Sequence, residues 1–88
     1  MDYYNTFKVF IKRKGCPKCH GVLKYCKEKG LNFQVYDIEK VNGLAETSYY
    51  GILSVPTIIE VDSEDNEIKR WMDLEELIKY LTLSTVGK

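Results

Sequence analysis

The sequence predicts an α/β domain with elements in the order β-α-β-α-β-β-α, within a single chain of 88 residues. Three observations lead there. An apolar strand-like run is followed by an amphipathic helical stripe and a second strand, the mark of a parallel strand–crossover–strand unit. An acidic, turn-rich segment separates two later strand-like runs, the mark of a hairpin. A Cys-x-x-Cys pair, Cys16-Pro17-Lys18-Cys19, stands where the first strand gives way to the first helix.

Phe7-Lys8-Val9-Phe10-Ile11 is β-branched and aromatic and reads as a buried first strand that ends at the basic loop Lys12-Arg13-Lys14. Past the thiol motif, Cys19, Val22, Leu23 and Cys26 fall at i, i+3, i+4 and i+7, one helical stripe with lysines on the opposite side. Gly30 ends that helix as a left-handed cap. Cys26 therefore belongs to the core. Asn32 to Asp37 gives the second strand, with the crossover expected to be right-handed. A short helix around Leu44, Ala45 and Glu46 ends near Tyr50-Gly51. Val55-Pro56-Thr57-Ile58-Ile59-Glu60-Val61 reads as a strand entered through proline. Asp62 to Asn66 makes the turn into an edge strand, Glu67 to Trp71, with one wet face. Asp73 and Glu76 match a capping box ahead of Leu74, Leu77, Ile78 and Leu81 on one face of the last helix. The domain is expected to span residues 1–88, with its core at about 6–83 and a frayed tail at 84–88.

Composition bounds the function classes. A hydrophobic content of 44% argues against disorder, and the length leaves no room for a second domain. Net charge is zero, yet eight Lys/Arg stand between Lys8 and Lys29 against one acid, Glu28. Lys24, Lys27 and Lys29 read as a solvated helix face. The cluster from Lys12 to Lys18 flanks the thiols and suits an anionic thiol or an acidic partner protein. A chain that is not basic overall and has no evident aromatic platform is not expected to bind nucleic acid. No apolar run approaches a membrane span, so no membrane partner is expected. Three cysteines without an export signal suit the cytoplasm, where a C-x-x-C is catalytic more often than stapling.

Two residues between the cysteines let the sulfurs bond while the backbone enters a helix. Pro17 fits the first turn, where its missing N–H is no loss. Cys16 then lies at the N-cap, where unpaired amides, the positive end of the helix dipole and the neighbouring lysines favour a thiolate. Cys16 is the expected nucleophile and Cys19, one turn deeper, the resolving thiol. Other chemistries use the same residues. Cys16, Cys19 and His20 have the spacing of c-type haem attachment, but no export signal precedes them. Zinc on Cys16, Cys19, His20 and Cys26 would draw every ligand from one helix, which closes a tetrahedron poorly. An inert structural pair is the third reading.

With the elements in that order, the chain resembles the thioredoxin superfamily and, within it, the glutaredoxins and glutaredoxin-like small proteins. Gly15-Cys16-Pro17-Lys18-Cys19-His20 after the first strand and Tyr50-Gly51-Ile52-Leu53-Ser54-Val55-Pro56-Thr57 ahead of the third carry the likeness. The resemblance implies a thioredoxin-like fold, a four-stranded mixed sheet flanked by three helices, with Pro56 cis and facing Cys16 and Cys19. It also implies that Val55 offers its backbone to a bound peptide or glutathione strand. Arg13 matches the family's basic residue three before the first cysteine. With Arg13, the positions Pro17, Lys18, Val55, Pro56, Thr57 and Asp73 are the expected support of the catalytic pair, and no metal is expected among them.

Departures from the family lie at the other side of the site. Where glutaredoxins carry Gly-Gly and an acidic pair that help to seat glutathione, this sequence has Lys69-Arg70-Trp71-Met72-Asp73. Lys18 stands where glutaredoxins commonly carry an aromatic. The expected function is a dithiol thiol-disulfide oxidoreductase reducing protein or glutathione mixed disulfides, with no tightly bound cofactor and glutathione as a candidate co-substrate. Its partners are expected to be disulfide-containing proteins, with glutathione or a thioredoxin-reductase-like enzyme as electron donor and the protein itself a monomer. The alternative is a non-catalytic thiol protein that binds metal or a partner through the same fold.

Overall fold

A computed structural model describes residues 5–86. The elements are β1 (Thr6–Ile11), α1 (Pro17–Glu28), β2 (Phe33–Asp37), α2 (Val41–Tyr50), β3 (Thr57–Val61), β4 (Glu67–Trp71) and α3 (Leu74–Val86). The strands form one sheet in the order β2-β1-β3-β4. β1 pairs parallel with β2, Phe7 opposite Phe33 and Ile11 opposite Asp37. It pairs antiparallel with β3, Phe10 opposite Thr57, and β3 pairs antiparallel with β4. This is the expected four-stranded mixed sheet with three helices, thioredoxin-like in order.

The two faces of the sheet bury different cores. Successive strand residues point to opposite sides, so β1 sends Phe7, Val9 and Ile11 one way and Phe10 the other. The first set packs with Ile58, Trp71, Cys19, Val22 and Cys26 of α1, and Leu77 and Leu81 of α3. The second packs with Ile59, Val61, Ile52 and Tyr50 at the end of α2. Helices α1 and α3 thus cover one face and α2 the other. Both faces of β1 are shut off from water, which is why the run from Phe7 to Ile11 is buried throughout. Losing a fully buried side chain such as Leu77 to alanine would cost roughly 2–5 kcal/mol.

Helix ends follow local chemistry. Gly30 at φ 65° lets Gly30 N–H reach Lys27 O and Leu31 N–H reach Cys26 O, each at 3.1 Å, a Schellman closure of α1 with Leu31 tucked into the core. The same pair of bonds, from Gly51 to Ser48 O and from Ile52 to Thr47 O, closes α2. Asp73 caps α3 by accepting the Glu75 N–H at 3.0 Å.

Three boundaries and one burial pattern differ from the sequence reading. β3 begins at Thr57, two residues later than expected, because Val55 and Pro56 lie in a bend and Pro56 has no N–H to give the ladder. β2 begins at Phe33; Asn32 instead accepts the Phe7 N–H at 2.8 Å as a lead-in to the pairing. In β4 only Trp71 is fully buried, and Ile68 is half exposed on an edge with little cover on either side. The segment expected to fray at Ser84 continues the helix to Val86; Gly87 and Lys88 lie outside the described residues. Among the described residues no helix is long and apolar enough to cross a membrane.

Candidate active site

Gly15 adopts φ 75°, a left-handed turn that a side chain would resist, and delivers Cys16 to the N-cap of α1. Pro17 is at the first helical position, and the Cys19 N–H closes the first turn on Cys16 O at 3.1 Å. Cys16 and Cys19 are joined in a disulfide, with Cα atoms 5.5 Å apart. Cys19 is buried against Val22 and the β1 core, whereas Cys16 is only partly covered. No side chain caps α1, so on reduction the Cys16 sulfur is the group best placed to meet the unpaired amides of its first turn. Cys26, further along the same stripe of α1, is fully buried, and burial pushes its thiol up to about 11. It is a core thiol, inert beside the bonded pair.

The loop before β3 approaches the same core. Val55 packs against the cluster that also holds Cys16 and Cys19, and the Val55–Pro56 peptide bond is cis. Thr57 is fully buried, and its hydroxyl donates to Ser54 O at 2.7 Å, tying the bend to the start of β3. Among the described residues no hydrogen bond takes up the Val55 N–H or C=O. A groove of about 390 Å³ runs between α1 and the start of α3, lined by Lys18, Gly21, Val22, Pro56, Met72, Asp73, Leu74 and Glu75. Lys18, Pro56 and Asp73 are thereby brought together. A smaller depression of about 150 Å³ holds the disulfide itself, lined by Ile11, Lys12, Arg13, Cys16, Cys19, His20 and Leu23.

Arg13 thus lines the depression and not the groove. Its Nε lies 3.3 Å from Oδ2 of Asp37, a buried carboxylate at the end of β2, and Lys12 Nζ is 3.9 Å from Glu39. Sequence reading missed both partners. Asp37 read only as the end of a strand, although Asp37 followed by Glu39 opposite a basic loop in a parallel β-α-β unit was a usable signal, since such a unit brings the ends of β1 and β2 together. Among the described residues no group of three or more His, Cys, Asp or Glu side chains is arranged to hold a metal ion.

Comparison with known proteins matches this geometry to a family. The glutaredoxin family model matches residues 7–65, about two thirds of the chain, taking in both cysteines and Pro56 and ending ahead of β4. Among solved structures, thioredoxin 1 from the thermophilic eubacterium Thermosipho africanus TCF52B is similar at 24% identity and a TM-score of 0.66, over 91% of this chain and 98% of that one. A mutant of a thioredoxin-like protein is similar at 19% identity and a TM-score of 0.61, over 85% of this chain and 97% of that one. No curated protein matches the chain. With the thiol pair at the head of α1 and a family match that spans it, the chain belongs to the glutaredoxin family, thiol-disulfide oxidoreductases on a thioredoxin-like fold.

Proposed function

We propose that the protein is a dithiol oxidoreductase of the cytoplasm that reduces disulfides in proteins, or mixed disulfides with glutathione, through Cys16 and Cys19. The observation that carries this reading is the Cys16–Cys19 disulfide at the N-cap of α1, with one sulfur partly open and the other buried. In the reduced form the Cys16 thiolate attacks one sulfur of a substrate disulfide, forming a mixed disulfide and expelling the first substrate thiolate. Cys19 loses its proton and attacks the Cys16 sulfur, expelling the second. The substrate gains two electrons and two protons, and the enzyme is left oxidised as the bridged pair. Two external thiols then restore it.

The open Val55 amide and carbonyl support a substrate that lies extended beside Pro56, pairing its backbone there. A groove of about 390 Å³ is in the range that holds a small-peptide ligand, so glutathione fits as donor by size. Met72 fills part of the position where glycines would leave the groove wide, which favours a donor other than glutathione alone. Turnover of an insulin or small-molecule disulfide in two coupled assays tests the reading, one with glutathione and glutathione reductase, the other with a thioredoxin reductase. Catalysis above the uncatalysed rate in either, abolished by Cys16→Ser, is the expected result. Equal rates with and without the protein in both would overturn it.

A further inference from the structure

The charge around the thiols exceeds what its carboxylate partners answer. On the β1–α1 loop and the first turn of α1, Arg13, Lys14, Lys18 and His20 are exposed and Lys12 is partly so. Two of the five are answered by carboxylates, Lys12 by Glu39 and Arg13 by Asp37. Lys14 and Lys18 have no ion-pair partner among the described residues. The depression that shares Cys16 and Cys19 with Lys12, Arg13 and His20 contains no acidic residue. The groove between α1 and the start of α3 is mixed in charge, with Lys18 lining it from α1 and Asp73 and Glu75 from the start of α3, beside Met72, Pro56 and Leu74. Met72, in the groove itself, is left open at 53% exposure.

We propose that this face docks an acidic polypeptide segment, whose Asp or Glu residues lie over Lys14, Lys18 and His20 and whose apolar residue beyond the disulfide rests on Met72. The inference rests on the oxidoreductase reading and names its substrate class. Cations without partners at the rim of a reactive sulfur raise the local concentration of anionic substrates and orient them. The carboxylates of Asp73 and Glu75 repel a second acidic stretch, which fixes the direction in which the segment lies. A small anion would satisfy the lysines but leave Met72 uncovered, whereas a polypeptide reaches both the cations and Met72. The exchange itself is unchanged: Cys16 displaces one thiolate of the segment's disulfide, Cys19 the other, and two electrons pass to the segment.

Three synthetic peptides test this, each carrying one cysteine as a mixed disulfide with 2-pyridinethiol and a leucine beyond it, with Glu-Glu, Gln-Gln or Lys-Lys on the other flank. Release of thiopyridone by the reduced protein is followed by stopped flow. At low salt the Glu-Glu peptide should react on the order of ten-fold faster than the Lys-Lys peptide. The ratio should fall towards one near 1 M salt, where the screening length is about 3 Å. The Lys14→Glu, Lys18→Glu double variant should invert it. Met72→Ser should slow all three leucine-bearing peptides while leaving their Glu-Glu to Lys-Lys rate ratio unchanged. Equal rates for the three peptides at low salt would overturn the docking proposal and leave the redox reading standing. So would a Met72→Ser variant indifferent to the peptides while the double variant slows oxidised glutathione as much as the Glu-Glu peptide, since the lysines would then serve a small anion. Failure of every disulfide to react would overturn the redox reading itself.

Discussion

The guanidinium of Arg13 is held 3.3 Å from the buried carboxylate of Asp37, so the loop that carries the thiols is fastened to the last residue of β2. The other Asp37 oxygen accepts the Glu39 N–H at 2.9 Å, which shapes the turn into α2. The two roles separate by substitution. Asp37→Asn keeps an acceptor for Glu39 and gives up an ion pair whose Arg side is largely in water, so it should cost under about 1 kcal/mol. Asp37→Ala gives up both and should cost roughly 1–3 kcal/mol, read as the difference in urea midpoints.

Gly43 lies over that same residue. A Cβ there would stand 1.8 Å from the Asp37 carbonyl oxygen and 2.6 Å from its carbon, both backbone atoms that cannot swing aside. Gly43→Ala should therefore destabilise the fold by about 3 kcal/mol, at the upper end of overpacking effects. Gly21 in α1 is the control, since its added Cβ meets nothing nearer than Leu74 Cδ2 at 3.9 Å. Gly21→Ala should stabilise by about 0.5–1 kcal/mol through helix propensity. Thermal melts of the two variants side by side read both signs.

Under α2, on the same face of the sheet, Lys8 is almost wholly buried, its ammonium donating to Glu46 at 2.6 Å with Asp65 at 3.7 Å and the rings of Tyr36 and Tyr50 close by. Burial works against the charge, but the hydrogen bonds with Glu46 and Tyr50 and the neighbouring Tyr36 outweigh it, and the lysine pKa lies above its ordinary value. Lys8 stays charged. Glu46→Ala strands that charge and should cost roughly 3 kcal/mol, whereas Lys8→Met with Glu46→Leu should come within about 1 kcal/mol of the parent. A double-mutant cycle in denaturant measures the coupling.

Cys26 gives a pH dependence of known sign. Its thiol is raised from 9.0 to about 11 by burial alone, so the folded chain keeps a proton that the unfolded chain releases. The stability this contributes is complete below about 9 and is lost as pH rises through about 11. Subtracting the stability curve of Cys26→Ala from that of the parent should give a difference flat at neutral pH and falling across that window. A difference flat throughout would place the thiol in contact with water.

What the sequence made legible was local. The helix stops at Gly30 and Gly51, the N-cap at Cys16 and the cap at Asp73 are each written within a few residues, and each appears in the fold. The stripe Cys19, Val22 and Cys26 predicted a buried face because a helix repeats over that same short span. What escaped was non-local. Lys8 counted as one more residue of a basic stretch, because its partner Glu46 is 38 residues away and only α2 crossing over the sheet brings them together. Arg13 could be placed near the thiols, but its tie to Asp37 needs the parallel pairing of β1 and β2 to be real. Val55 was read into β3 because β-branched residues continue through it, and the ladder's need for an N–H at Pro56 was the stronger constraint.

The roles of the two sulfurs are tested most directly by trapping. Reduced Cys19→Ser protein, mixed with a disulfide substrate and quenched by alkylation, should hold the substrate thiol on Cys16 when the digest is mapped by mass spectrometry, with Cys26 free and alkylated only after unfolding. Reduced parent protein under the same treatment should yield the Cys16–Cys19 linked peptide, two hydrogens lighter, and no lasting adduct. An adduct on Cys26, or none on any cysteine, would contradict the assignment of attack to Cys16 and resolution to Cys19.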